Sequence, residues 1–253
     1  MVELRIKDGI AGIFLNRPEK SNALSSLLLE ELLAKLKEIE RTPGLRVVVL
    51  AGNGKSFCNG ADLHDLSKLK KSTAGKFVGQ IHACCDAIRK LPVPVVARLH
   101  GAVVGAGLEL AASCDLRIAE EGTAFAMPEV LLGIPSVVEA ALLPRLVGAG
   151  RAAWLVMTGE PIDAKTALDW GLVQELAPLA TLDERVGALL ERLAAAEPGA
   201  LAAQKELLRL WQEVPLSEAV AASIGIFARA YQSDAPNKRL RATISRGRGL
   251  KEN

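Results

Sequence analysis

His100-Gly101-Ala102-Val103-Val104-Gly105-Ala106-Gly107-Leu108-Glu109 carries the change from strand to helix around which the rest of the chain is organised. It follows Val93 to Leu99, a short and mostly apolar run of the kind found in strands covered on both faces. Ala111, Ala112 and Ser113 continue it with small side chains. Small residues at a helix start let a second backbone or a ligand approach closely, and first-turn N–H groups have no intrahelical acceptor. The pattern predicts a helix over about 105–114 whose start is an anion or oxyanion site, suited to a carbonyl oxygen. Glu109 lies three residues beyond Ala106 on the same helical face, in an otherwise apolar segment. A carboxylate there is costly unless it is paired, hydrogen-bonded or functional. A structural Glu bonded to a neighbouring loop is the competing reading.

Upstream, Glu3–Lys7 and Ile10–Leu15 read as strands joined by the tight turn Asp8-Gly9. Ser25 is placed to cap a helix whose stripe is Leu28, Leu32, Leu36 and Ile39, stopped by Pro43-Gly44. Arg46–Leu50 is a second covered strand, Asp115–Ala119 a weaker one, and a helix is expected near 74–90. Beyond about residue 148 the character changes, and helices are expected near 152–157, 164–170, 182–196, 200–211 and 218–231. Gly159-Glu160-Pro161, Gly171, Pro198-Gly199 and Pro215 separate them. The expected class is α/β, with a core at 1–190 and a helical C-terminal region at 191–253.

Composition removes several function classes. Cys58, Cys84, Cys85 and Cys114 have no metal-knuckle spacing, and His64, His82 and His100 stand apart, so no metal site is expected. The N-terminus enters an alternating pattern directly, without the features of a secretory leader. Charges interrupt every apolar run before it reaches the roughly 18 residues of a membrane span. A soluble, cytoplasmic protein with reduced cysteines is expected, without membrane association. The net charge of +2 argues against an extended nucleic-acid surface. One local exception is the basic tail, where Arg229, Lys238, Arg239, Arg241, Arg246, Arg248 and Lys251 outnumber Asp234 and Glu252. It reads as a solvated helix or as a rim for a phosphorylated ligand.

A second glycine-rich loop, Gly52 to Asp62, follows the 46–50 strand. One residue separates Gly52 from Gly54 and position 57 is Phe, so it is neither a P-loop nor a dinucleotide fingerprint. Glu129, between Phe125-Ala126-Met127-Pro128 and Val130-Leu131-Leu132, is another isolated acid in an apolar stretch. Two such acids facing one cleft would form an acid/base pair, one protonated and one ionised.

These features and their order resemble the crotonase superfamily, the enoyl-CoA hydratase/isomerase family. Leu15-Asn16-Arg17-Pro18, Asn22-Ala23-Leu24-Ser25, Gly60-Ala61-Asp62-Leu63, Gly101 to Glu109, Cys114-Asp115, Pro128-Glu129, Pro144-Arg145-Leu146 and Thr158-Gly159 carry the resemblance. It implies a crotonase-like spiral of repeated ββα units with a helical C-terminal region. It further implies that the backbone N–H groups of Ala61 and Ala106 hold a thioester carbonyl. Glu109 and Glu129 would be the two catalytic glutamates, Glu129 giving the proton to Cα and Glu109 holding and activating the water. Lys20, Ser21, Ala23, Asp62, Leu63 and His64 fall where relatives touch the CoA moiety.

The resemblance implies an enoyl-CoA hydratase adding water to a 2-trans-enoyl-CoA, with CoA as part of the substrate and no separate cofactor. It also implies a homotrimer or homohexamer. An enoyl-CoA isomerase, another acyl-CoA hydrolase or decarboxylase, and a non-enzymatic CoA-binding relative are the alternatives. The chain departs from the pattern at Ser136-Val137-Val138-Glu139-Ala140-Ala141, where hydratases of the family read a glycine-rich run. Bulkier valines there are expected to reshape the acyl pocket, and Glu139 either points inward as a third acid or faces outward. Trp154, Trp170 and Trp211 are expected in the core or at subunit contacts, and Cys58 in a pocket wall.

Overall fold

Asp8 and Gly9 both take positive φ, 51° and 78°, as the tight turn requires. They fold β1 (Val2–Lys7) antiparallel onto β2 (Ile10–Leu15). The computed structural model describes residues 1–249, so Lys251 and Glu252 of the basic tail lie outside the described residues. After α1 (Ser26–Glu40), β3 (Val47–Gly52) joins β2 in parallel. The short α2 (Leu63–Ser67) and the long α3 (Lys71–Lys90) lead to β4 (Val95–Leu99). Next come β5 (Ala102–Val104), α4 (Ala106–Ser113), β6 (Leu116–Glu120) and β7 (Ala124–Ala126). They are followed by α5 (Leu143–Val147), α6 (Ala149–Thr158), β8 (Ile162–Asp163), α7 (Ala164–Asp169), β9 (Glu175–Ala177) and α8 (Leu179–Ala195).

The larger sheet runs β1-β2-β3-β4-β6-β9, parallel after the first hairpin, and a smaller sheet runs β5-β7-β8. This is the expected α/β class. All six residues of β3 are buried, the outcome its uninterrupted apolar sequence predicts for a strand covered on both faces. Val47, Val49, Val96 and Ile118 pack with Leu182, Val186 and Leu190 of α8. Val48, Leu50 and Ala97 join the main core with the α1 stripe and with Phe77, Ile81 and Cys84 of α3. Each such large side chain, fully buried, contributes about 1.5–3 kcal/mol. The Ser25 hydroxyl accepts the Leu28 N–H at 3.3 Å and starts α1.

Two contact units divide the chain, Met1–Ala194 and a second from Ala195 onward. The second comprises α9 (Pro198–Glu213), α10 (Leu216–Ala230) and α11 (Ala235–Gly249). Pro198 opens α9, and the Glu197 carboxylate caps it by accepting the Ala200 N–H at 2.9 Å. Trp154 and Trp211 are about half exposed, which corrects the core half of their expected placement. Trp170 is partly buried, with the Arg151 guanidinium over its ring. Among the described residues no helix is long and apolar enough to cross a membrane.

Candidate active site

The loop at 52–62 is held largely by the buried Asn22 side chain. The Asn22 amide donates to the Asn53, Ser56 and Phe57 carbonyls at 2.9, 2.9 and 3.2 Å. Its own oxygen accepts the Arg17 N–H at 2.8 Å. Further along, Leu24 donates to the Gly60 carbonyl and accepts from the Asp62 N–H, a one-residue parallel bridge opposite Ala61. Because Leu24 bonds the residues on either side of it, Ala61 turns its own N–H to the opposite side.

The segment at 100–109 lies against the loop at 52–62. Cys58 donates to the Ala102 carbonyl at 3.1 Å and accepts from Val104 at 3.0 Å. A methyl on Gly60 would stand 3.0 Å from the Val104 oxygen and 3.9 Å from the Ala106 nitrogen. Ala106 is the first residue of α4, so its N–H has no intrahelical acceptor. Gly105 before it has φ 53° and ψ −125°, a conformation that L side chains avoid. A methyl there would overlap Glu129 Oε1. The absent side chain is what lets the Glu129 carboxylate sit against the start of α4.

Both acids are tethered by donors from the segment after Glu129. Glu109, buried in α4, accepts the Ala140 N–H at 3.2 Å on Oε1. Glu129, in the 3-10 helix Pro128–Leu132, accepts the Ser136 hydroxyl at 2.8 Å on Oε2. Burial pushes the Glu109 carboxyl up to about 8, with the Glu129 charge adding to it, Ala140 opposing and Glu139 adding a smaller share. At neutral pH Glu109 therefore carries a proton. The structure thus brings together Glu109, Glu129, Ala106 and the Ala61 loop. Cys58 is fully buried and its thiol is pushed up to about 12 by desolvation, so it is a wall residue rather than a nucleophile.

The six positions expected at CoA differ in exposure. Lys20, Leu63 and His64 are exposed, and Ser21 and Ala23 partly so. The Asp62 carboxylate differs. It pairs with Arg17 and accepts the His64 and Asp65 N–H groups as the cap of α2, which leaves it a structural role. The sequence reading passed over Asn22, Ser136 and the Ala140 N–H. Asn22 lay inside a quoted motif, and Ser136 and Ala140 inside the run that departs from the glycine-rich pattern, without a role given to any of them. It also left the direction of Glu139 open: the side chain points inward and is 5% exposed.

Comparison with known proteins places this arrangement. The enoyl-CoA hydratase/isomerase family profile matches residues 5–244. The chain belongs to that family. It is 36% identical over 215 residues to the 2,3-dehydroadipyl-CoA hydratase of Escherichia coli strain K12, covering 84% of this chain and 83% of the relative. It is 35% identical over 222 residues to the mitochondrial enoyl-CoA hydratase of Pongo abelii, covering 86% and 75%. The crystal structure of an enoyl-CoA hydratase from Bacillus anthracis superposes with a TM-score of 0.92 at 31% identity, over 97% of this chain and 96% of that one. The fold is therefore the crotonase fold of this family. Within it, Val138 keeps φ at 41° in the run where the resemblance expects glycines. A β-branched residue there is strained, and the turn it forms delivers the Ala140 N–H to Glu109.

Proposed function

We propose that this enoyl-CoA hydratase/isomerase family member is a hydratase, adding water across a 2-trans-enoyl-CoA to give a 3-hydroxyacyl-CoA. The observation that carries the reading is that Glu129 reaches the start of α4 over Gly105 while Glu109 lies buried one turn along the same helix. The thioester oxygen is received by the Ala61 and Ala106 N–H groups. As water adds at Cβ, charge grows on that oxygen, and donors fixed in advance stabilise it more than the ground state.

The proton balance refines the roles expected from the sequence. Neutral Glu109 holds the water by hydrogen bonding, and the Glu129 carboxylate removes a proton from it as its oxygen attacks Cβ. Glu129 then passes that proton to Cα, so both new atoms come from one water and both glutamates end as they began. Glu129 remains the donor to Cα and Glu109 the holder of the water. Activation moves to Glu129. The proposed steps use water, the two glutamates and the CoA substrate with no separate cofactor, and the assembly proposed is a trimer or hexamer, to be checked by mass measurement in solution.

The test is an assay of purified protein with 2-enoyl-CoAs and 3-enoyl-CoAs of several chain lengths, following water addition and double-bond migration separately. Hydration of a 2-enoyl-CoA is the expected result. Migration of a 3-enoyl double bond with no hydration of any 2-enoyl-CoA would replace the hydratase reading with an isomerase.

A further inference from the structure

Glu139 has no part in the steps above, yet it is built into the site. It belongs to the 3-10 helix Val138–Leu142, whose next residue supplies the Ala140 N–H to Glu109. The strained Val138 backbone turns it inward. One of its oxygens lies 2.8 Å from His82 Nδ1 of α3, and the other is buried with no hydrogen-bond partner. A carboxylate facing Nδ1 accepts, so that ring nitrogen carries the hydrogen. The His82 side chain is itself 55% exposed, so the pair runs from solvent to the interior.

Among the described residues of the helices packed against it, Glu139 has no buried Lys or Arg to offset it. From α3 it meets His82 and Cys85, from α4 it acts on Glu109, and α5 carries only Arg145, which is exposed. Glu129 is the other charge acting on Glu109. A bare carboxylate oxygen in a low-dielectric interior is a strong source of negative potential. Its reach includes Cys85, whose thiol burial and then Glu139 raise well above its ordinary range.

We propose that Glu139, anchored by His82, is a positioning residue for Glu109: a third carboxylate buried one residue from the N–H that Glu109 accepts, it acts with burial and Glu129 in favouring the water-holding form. The proposal rests on the hydratase reading and adds a third carboxylate to it. No bond is made or broken at Glu139, which acts only through Glu109.

Two readouts test it. In the first, kcat/KM for hydration of 2-butenoyl-CoA is followed against pH, where loss of the Glu109 proton gives the basic limb. Glu139→Gln removes the charge and keeps the shape, so the limb moves to lower pH by about one unit, with the acid-side plateau retained. His82→Leu strips Glu139 of its donor and of its anchor to α3, moving the limb the same way. His82→Gln, which keeps an N–H donor, restores it. In the second, the Glu109 carboxyl is titrated directly by carbon-13 NMR in the wild-type and variant proteins. An unchanged Glu109 midpoint in Glu139→Gln and His82→Leu would overturn the proposal. Should Glu139→Gln fail to fold, the surface variant His82→Leu decides alone. If the wild-type protein hydrates no 2-enoyl-CoA, the functional reading falls while the NMR titration still decides this one.

Discussion

At the scale of single residues, Glu109 and Glu129 act on one water and one proton, so each is needed for the other to work. Glu109→Gln and Glu129→Gln are each expected to lower kcat for hydration by about 10²–10⁴-fold with KM little changed. The double variant should be no slower than the worse single one, because residues acting as a unit are not additive. Steady-state kinetics on the three proteins check this, and multiplicative losses would mean separate roles. Both acids were visible in the sequence because an acid alone in an apolar stretch has few innocent explanations. Their tethers were not. Ser136 and Ala140 lie in the run where the chain leaves the glycine-rich pattern, and Asn22 bonds carbonyls 31, 34 and 35 residues away, a link no local periodicity encodes.

At the scale of elements, the site is a junction of two loops at the head of α4, and glycine decides whether they meet. Gly105→Ala would place a methyl on Glu129 Oε1 and force an L residue to φ 53°. It is expected to destabilise the fold by about 1–3 kcal/mol and to lower kcat far more than that loss of stability explains. Thermal melting beside kinetics separates the two effects. At the other end of α4, buried Arg117 donates to the Ala111 and Cys114 carbonyls and to Leu172 ahead of β9. Arg117→Met leaves those carbonyls unmatched and should cost roughly 3 kcal/mol or more, read as a lower denaturant midpoint. The long elements were legible because their patterns repeat, as α1 and β3 show. The β5-β7-β8 sheet was not, since strands of three, three and two residues are too short to show a period. Ala102–Val104 reads as loop until Gly101, at φ 58°, turns it alongside Cys58.

At the scale of the whole molecule, the same proton that serves the site links its chemistry to stability. Glu109 rises from an ordinary value of 4.5 to about 8 on folding, so between those values the native state holds a proton that the unfolded chain releases. Stability is then full below the ordinary value, falls by roughly 1.4 kcal/mol per pH unit through that window, and levels off above it. Asp62 works in the opposite sense. Desolvation opposes it, but Arg17 and the α2 N–H groups hold its carboxyl below its ordinary value, giving stability that is lost as pH falls through the acid range. Taken together, the two slopes meet between the ordinary values of the two carboxyls, 3.8 for Asp62 and 4.5 for Glu109, so their combined contribution is greatest near pH 4. Glu109→Gln removes only the alkaline slope, so the variant should match the wild-type protein near pH 5 and melt at a higher temperature by pH 8. Scanning both proteins by calorimetry across that range gives the answer. Curves that stay parallel from pH 5 to 8 would mean that Glu109 is ionised in the native state, and the assignment of the water to a neutral carboxyl would go with it.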